Sequence, residues 1–242
     1  MNSIRTALLA LRCCVVQQTR LDTARIRATR RIIDPIFLDT PLYCCEALER
    51  RLGCAVSIKL ETANPVRSFK ARGTEVGASL LADKGSPAVV CGSAGNLRQA
   101  LAWSGRARGL EVTVVASRFA PAIKLDRIRA LGARLELVDG DNEMARDRAA
   151  AIARHDGIGL LDDSLDIETC EGAATIGLEL VDARTSFDAV LVALGGGALT
   201  TGVGHLIHQM SVKPLYDSVF LVTTSRLATS KRLATFEPWC EA

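Results

Sequence analysis

Aromatic residues, histidines and long apolar runs are all scarce in this chain of 242 residues. The longest apolar stretches fall far short of the roughly 20 residues that span a bilayer, so we expect no membrane protein. The 3 histidines lie far apart or in apolar surroundings, and the 8 cysteines lack the spacing of a metal site. No secretory signal with a clear cleavage site precedes the cysteines, so reduced thiols and a cytoplasmic location are expected.

The residues that are abundant are those of a globular protein. Hydrophobic residues make up 48% and charged residues 24% of the chain, which excludes a mainly disordered protein. By size scaling, a chain of this length buries roughly 70% of its unfolded surface, enough for a substantial core. Length alone allows one large or two small domains.

Positive charge is concentrated near the N-terminus. Residues 1–31 hold 7 Arg against Asp22 alone, while the whole chain carries a net charge of only +3. The remainder is therefore slightly acidic, and we expect no nucleic-acid partner for it. The Arg-rich leader is open to three interpretations: a transit peptide, a nucleic-acid arm, or a surface helix whose apolar face docks on the domain. We favour the docked helix.

Apolar runs and helical periodicity alternate along the chain. Strand-like runs recur at residues 55–60, 88–91, 112–116, 135–138, 158–161 and 189–194. Segments with helical spacing lie between them, at residues 69–81, from the 93–96 loop to about 108, and at 122–131, 143–155 and 171–181. This alternation predicts right-handed βαβ units on a parallel sheet, and so an α/β fold with layers of helices on the sheet.

The first candidate for chemistry is a lysine at a predicted loop-to-helix junction. Lys70 lies in the segment Ser-Phe-Lys-Ala-Arg-Gly, between Phe69 and small residues. Partial burial at the positive end of a helix disfavours an ammonium group, and a Schiff base with an aldehyde cofactor requires a neutral amine. The alternative, an ordinary solvated lysine on a surface helix, stays open on this segment alone.

Two loops that follow predicted strands are candidates for anion binding. Residues 93–96 (Ser-Ala-Gly-Asn) follow one strand, and residues 195–198 (Gly-Gly-Gly-Ala) follow another. At the carboxyl ends of parallel strands, backbone N–H groups at helix N-termini hold anions. The first loop therefore suits a substrate carboxylate, with helix capping as the alternative, and the second suits a phosphate, with a tight turn as the alternative. The second is neither a P-loop nor a dinucleotide fingerprint, since no Gly-Lys-Ser/Thr follows and Thr200 stands where a third glycine would be.

The three segments also form a joint signal in their order and spacing. The Asn loop comes about 25 residues after the lysine, and the glycine loop about 100 residues beyond that. Together they resemble the fold-type II pyridoxal-phosphate-dependent enzymes, particularly the serine/threonine dehydratase group of the tryptophan synthase beta-like superfamily. Further matches, at residues 59–61 (Lys-Leu-Glu) and 175–179 (Thr-Ile-Gly-Leu-Glu), extend the resemblance over about residues 22–222.

This resemblance implies a role for each segment. Lys70 would carry pyridoxal 5'-phosphate as a Schiff base, and Asn96 would hydrogen-bond the ring hydroxyl of the cofactor. The phosphate would be held by the backbone N–H groups of four consecutive residues, Gly195, Gly196, Gly197 and Ala198. The substrate carboxylate would be bound by three residues of the Asn loop, Ser93, Ala94 and Gly95.

The activity that the resemblance implies is that of an ammonia-lyase. It would convert a small hydroxy amino acid, such as threonine or serine, to a 2-oxo acid and ammonia. The small amino acid is then the expected partner, and a homodimer is one possible assembly. The alternatives are an enzyme of the same fold that performs β-replacement and an inactive relative. Against β-replacement, residues 97–99 (Leu-Arg-Gln) continue the Asn loop as in dehydratases rather than as in cysteine synthases.

The resemblance further implies two domains with the site between them. Residues 1–21 would be an Arg-rich extension, residues 22–81 and 166–242 the large cofactor-binding domain, and residues 82–165 a small inserted domain.

Three features depart from the family pattern. Ala198 stands where a fourth glycine is expected, and a positive φ there would cost about 1 kcal/mol or more. Leu97 stands where dehydratases commonly carry a histidine. Relatives continue beyond Ala242, so the large domain is expected to be incomplete at its C-terminus and to lack the residue that contacts the ring nitrogen.

Overall fold

The computed structural model describes residues 20–92, 95–162, 165–183, 187–210 and 219–223. Most of the expected N-terminal extension, Ser93 and Ala94 of the Asn loop, and the tail after residue 223 lie outside this part of the chain. The helices are α1 (Thr23–Thr29), α2 (Glu46–Leu52), α3 (Lys70–Asp83), α4 (Asn96–Ala107), α5 (Ala122–Ala130), α6 (Asn142–Asp156), α7 (Ile167–Asp182) and α8 (Ala198–Met210). The strands are β1 (Leu42–Cys44), β2 (Ser57–Lys59), β3 (Ala88–Gly92), β4 (Glu111–Ser117), β5 (Arg134–Val138), β6 (Gly159–Leu160), β7 (Val190–Leu194) and β8 (Val219–Thr223).

Four parallel strands form the largest sheet of the described residues, in the order β5-β4-β3-β6. Ala88 of β3 lies opposite Glu111 of β4, and Thr113 of β4 lies opposite Arg134 of β5. Successive side chains of a strand point to opposite faces, and a parallel sheet is covered on both. The central strands β3 and β4 are therefore nearly continuous apolar runs, which is the pattern that predicts them from the sequence.

Helices cover both faces of this sheet. On one face, Val89 and Val114 pack in a cluster with residues of α4 and α5. On the other face, Val90 and Val115 pack against the alanines of α6. Gly92 allows α6 to approach closely, because a Cβ at this position would lie 2.3 Å from a backbone oxygen of that helix. The predicted layered α/β fold class is confirmed.

The remaining elements gather around α7. Strands β7 and β8 pair in parallel, and β1 pairs with β2 in the antiparallel sense, with Leu42 opposite Lys59. Every residue of α7 from Thr169 to Leu180 is buried, because the helix packs against α1, α3 and α8. A helix covered on all sides is expected to be apolar throughout, so any charged residue within it needs a partner.

The element predictions agree with the structure to within a few residues. Helix α3 begins one residue later than predicted, and α7 begins at Ile167, four residues earlier than predicted. The strands β1 and β8 and the helix α2 were not predicted, and the antiparallel pairing of β1 departs from the expected parallel arrangement. The predicted domain boundaries stay a prediction.

Helix α1 docks on the body of the protein as the favoured interpretation of the leader requires. Ile26 is fully buried, and the Arg25 guanidinium lies 2.6 Å from a Glu171 carboxylate oxygen. This result concerns residues 23–29 only, since residues 1–19 lie outside the described part. Among the described helices, none has the length and apolar character needed for a bilayer crossing.

Candidate active site

Lys70 is the first residue of α3, as the sequence predicted. Its side chain is half-buried, and its Nζ lies 4.5 Å from the centroid of the Phe69 ring. The helix then continues through eight consecutive buried residues, 71–78. Lys70 therefore sits where a rigid buried helix meets a loop, with its amine at the helix start.

The loop before Lys70 is closed by the side chain of Asn64. The Asn64 amide donates to the backbone oxygens of Glu61, at 2.9 Å, and Ser68, at 3.2 Å. Its Oδ1 accepts from the backbone N–H groups of Val66, at 3.1 Å, and Ser68, at 3.4 Å. Arg67 has a φ of 54° within this loop, an uncommon conformation for a residue with a side chain. The side chain of Asn64 thus holds the strained segment that leads into the lysine.

Arg72, two residues after Lys70, is fully buried and binds two carboxylates. Its Nε and Nη2 each lie 3.0 Å from an oxygen of Glu61. Its Nη1 and Nη2 donate to the two oxygens of Glu179 on α7, at 2.5 and 3.0 Å. Paired hydrogen bonds of this kind fix a guanidinium plane in orientation as well as in position. The first turn of α3 is therefore tied to α7 and to the segment after β2.

A second cation completes this cluster. Lys59 at the end of β2 lies 2.5 Å from Glu179 and donates to the backbone oxygen of Thr40 at 2.5 Å. Burial raises the pKa of Glu179, but hydrogen bonding and charge attraction from Arg72, followed by a hydrogen bond from Lys59, bring that pKa below its ordinary value. We call Lys59, Glu61, Arg72 and Glu179 the ionic cluster; its formal charges cancel.

Asn96 is the first residue of α4 and follows the carboxyl end of β3, as predicted. It is exposed, and Gly95 before it has extended backbone with a φ of −113°. Helix α4 packs on α3 through a bond of 2.8 Å between the hydroxyls of Thr74 and Ser104. The structure therefore places α4, the helix that follows the Asn loop, beside the lysine helix. Ser93 and Ala94 lie outside the described residues, and their predicted role stays a prediction.

The glycine loop connects β7 to the first residue of α8, as predicted. Gly197 has a φ of 100°, a conformation that glycine adopts without the strain of a side chain. A Cβ at Gly195 would meet nothing within 4 Å, so space is open beside the loop. Ala198 is not among the positive-φ residues, and its side chain is buried at 2% exposure. Ala198 therefore does not adopt the positive φ that would strain it, because the left-handed turn lies at Gly197.

The lysine segment and the glycine loop meet at one apolar cluster. Its buried members come from α7, β7 and α8: Ile176, Leu180, Val192 and Val203. Phe69, beside Lys70, packs against this cluster, and so does Leu199, in the first turn of α8. Phe69, before the lysine, and Leu199, after the glycine loop, thus pack against the same apolar cluster.

Glycines allow the helices around α7 to approach closely. A Cβ at Gly73 of α3 would lie 2.8 Å from the Cα of Thr169. A Cβ at Gly202 of α8 would lie 2.7 Å from the backbone nitrogen of Ala174. Both contacts fall one turn after the candidate residues, so the beginnings of α3 and α8 are held against the same part of α7.

Comparison with known proteins agrees with this arrangement. A model of a family described as "Pyridoxal-phosphate dependent enzyme" matches residues 33–232. The chain belongs to this family. It is 33% identical over 172 residues to the biosynthetic L-threonine dehydratase IlvA of Pasteurella multocida, covering 71% of this chain and 34% of that protein.

Solved structures show the same relationship. A pyridoxal 5'-phosphate-dependent aspartate racemase has a TM-score of 0.77 and 28% identity, with 86% of this chain and 64% of that one covered. Threonine deaminase isoform 2 of Solanum lycopersicum has a TM-score of 0.70 and 29% identity, with 79% and 57% covered. The chain spans about a third of the length of the curated threonine dehydratases it matches.

The candidate site of this pyridoxal-phosphate-dependent family member fits the cofactor of the family. An amine, two helix N-termini and an open glycine loop are what an aldehyde with a phosphate group needs. Two buried hydroxyl oxygens in these same segments, Ser68 Oγ and Thr200 Oγ1, have no hydrogen-bond partner. Such atoms indicate polar contacts that a ligand can supply.

The residues that support the lysine were not predicted from the sequence, although the lysine itself was. Glu61 and Glu179 were noted only as matches to the family, yet both bind Arg72. A charged residue inside an otherwise buried helix was the available signal for Glu179. An asparagine followed by a proline, at residues 64 and 65, was the available sequence signal for the closed loop. Glu171 on α7 is likewise buried and pairs with Arg25.

An open cavity of about 570 Å³ lies elsewhere, at the carboxyl ends of β4 and β5. It is lined by Ser117, Phe119, Pro121, Gly140, Asp141 and Asn142. None of the residues assigned to the cofactor lines it.

Proposed function

We propose that this chain is a pyridoxal-phosphate-dependent ammonia-lyase acting on a small hydroxy amino acid, with Lys70 as its catalytic residue. The observation that carries the proposal is the meeting of the Lys70 segment and the glycine loop at one apolar cluster, in a chain of this family. The similarity to threonine dehydratases supports the substrate class.

Each candidate residue has a physical task in this proposal. The open backbone of residues 195–198 binds the phosphate, favoured by the positive end of α8. Lys70 holds the cofactor covalently, and Asn96, exposed at the start of α4, donates to an oxygen of its ring. Residues 93–95 bind the substrate carboxylate. The bound cofactor supplies an aldehyde for the substrate amine and a ring that delocalises negative charge.

The chain itself moves the proton. With a substrate bound, the amine of Lys70 would be the base that removes the proton from the α-carbon. Loss of this proton and of the β-hydroxyl would remove one water from the substrate, and addition of one water to the resulting imine would give the 2-oxo acid and ammonia. The ionic cluster ties the first turn of α3 to α7 and to the segment after β2, and so would hold the backbone that carries the Lys70 amine in place.

The test is release of 2-oxo acid from threonine and from serine by the cofactor-loaded chain. We expect activity that Lys70→Ala abolishes and that Lys124→Ala, a change of an exposed lysine, leaves intact. Lys70→Arg is expected to be inactive, because a guanidinium stays protonated and cannot form the link to the aldehyde. Equal activity in the wild type and Lys70→Ala would overturn the assignment.

Racemisation is the second candidate, favoured by the likeness to the aspartate racemase. It needs the same proton removal, followed by return of a proton to the opposite face. Inversion of an L-amino acid without release of 2-oxo acid, measured by chiral chromatography, would favour this candidate over elimination.

A further inference from the structure

Two buried hydroxyls in the candidate site lack the partners that comparable hydroxyls elsewhere have. Ser68 is 5% exposed, and neither its Oγ nor the buried Oγ1 of Thr200 has a hydrogen-bond partner. Buried hydroxyls on other helices are satisfied: Thr29 donates to a backbone oxygen at 2.7 Å, and Ser104 bonds to Thr74 at 2.8 Å. An unpaired buried hydroxyl costs stability and calls for an explanation.

The positions of the two hydroxyls suggest an explanation for their lack of partners. Ser68 is two residues before Lys70, and its backbone is held on both sides by Asn64. Thr200 is the third residue of α8, two residues after the glycine loop. Their neighbours Phe69 and Leu199 pack against the same apolar cluster, so the segments that carry the two hydroxyls are held by one part of the core.

We infer that Ser68 Oγ and Thr200 Oγ1 are additional ligands of the cofactor's phosphate, each donating a hydrogen bond to one of its oxygens. A hydroxyl that is unpaired in the protein alone gains an anionic acceptor when the phosphate binds, and no other bond has to be broken first. The inference rests on the proposed function, since it assumes the cofactor at Lys70, but it assigns two side chains beyond the backbone loop.

The test compares stability without cofactor and affinity for it in four variants. Ser68→Ala and Thr200→Val remove the unpaired hydroxyls; Ser104→Ala and Thr29→Val remove paired ones as matched controls. The two site variants should keep or raise the melting temperature without cofactor, because no bond is lost. Their Kd for pyridoxal 5'-phosphate, measured by fluorescence titration, should rise roughly tenfold each, the loss expected for a hydrogen bond to a charged group. The controls should melt lower and bind the cofactor normally.

Titration with pyridoxal, which lacks the phosphate, shows which group of the cofactor the two hydroxyls contact. The site variants should bind pyridoxal as well as the wild type does. A loss of pyridoxal affinity equal to the loss for pyridoxal 5'-phosphate would overturn the assignment to the phosphate. Unchanged affinity for both compounds would mean that water alone satisfies the hydroxyls, and the inference would be wrong while the proposed function stood. A wild type that binds no pyridoxal 5'-phosphate would overturn both.

Discussion

Replacing Glu179 by glutamine tests whether the ionic cluster supports the lysine helix. The change keeps the shape of the side chain but removes the charge that faces Arg72 and Lys59. Breaking a buried ion pair from one side costs about 3 to 5 kcal/mol, and here Glu61 alone would face Arg72 and Lys59, so that one buried positive charge is left without compensation. For a chain of this size about 1 kcal/mol lowers the melting temperature by roughly 2 to 4 °C. We therefore expect E179Q to melt about 10 °C lower than the wild type.

The assay is thermal unfolding followed by circular dichroism across a range of pH. The ordinary pKa of this carboxyl is 4.5, and in the fold it is lower. The ionised carboxylate therefore contributes stability that is fully present above pH 4.5 and is lost as the pH falls through the folded-state pKa. The two proteins should differ at neutral pH and converge in acid. The control is Glu46→Gln, which breaks an exposed pair with Arg50 and should change the melting temperature by no more than about 1 °C. Equal melting of E179Q and the wild type at neutral pH would refute the reasoning.

Two further predictions concern the supports of Lys70. Gly172→Ala should destabilise the protein by about 1 to 3 kcal/mol, because the new Cβ would lie 2.4 Å from the backbone oxygen of Arg72. The control is Gly204→Ala, where a Cβ would meet nothing within 4 Å. Measured by urea unfolding, the control should be neutral or stabilising. Asn64→Ala should remove the closure of the lysine loop, costing about 1 to 3 kcal/mol and raising the Kd for pyridoxal 5'-phosphate. Asn64→Asp keeps the acceptor oxygen and should be affected less; if both variants bind the cofactor as the wild type does, the loop does not position Lys70.

The sequence was sufficient to predict the alternation of strands and helices because the buried parallel strands are continuous apolar runs. Val89 and Val90 point to opposite faces of the same sheet, and both are fully buried. Strand β1 escaped prediction because three residues carry too little pattern, and its antiparallel pairing depends on contacts with β2 that no local rule supplies.

The candidate site was predictable where it depends on residue type and was not where it depends on packing. Lys70, Asn96 and the glycine loop all lie at helix starts, as their sequence context indicated. The ionic cluster joins residues more than 100 positions apart in the chain, such as Arg72 and Glu179, so local periodicity could not find it. Local sequence could not predict the φ of Ala198 either, because it depends on the neighbouring turn at Gly197.

The most direct test of the central claim is to locate the covalent link to the cofactor. The chain is incubated with pyridoxal 5'-phosphate, reduced with borohydride, digested and mapped by mass spectrometry. The proposed role of Lys70 predicts one phosphopyridoxyl group per chain on the peptide that contains Lys70, and none in Lys70→Ala. Labelling of Lys59 or Lys124 in place of Lys70 would contradict the account.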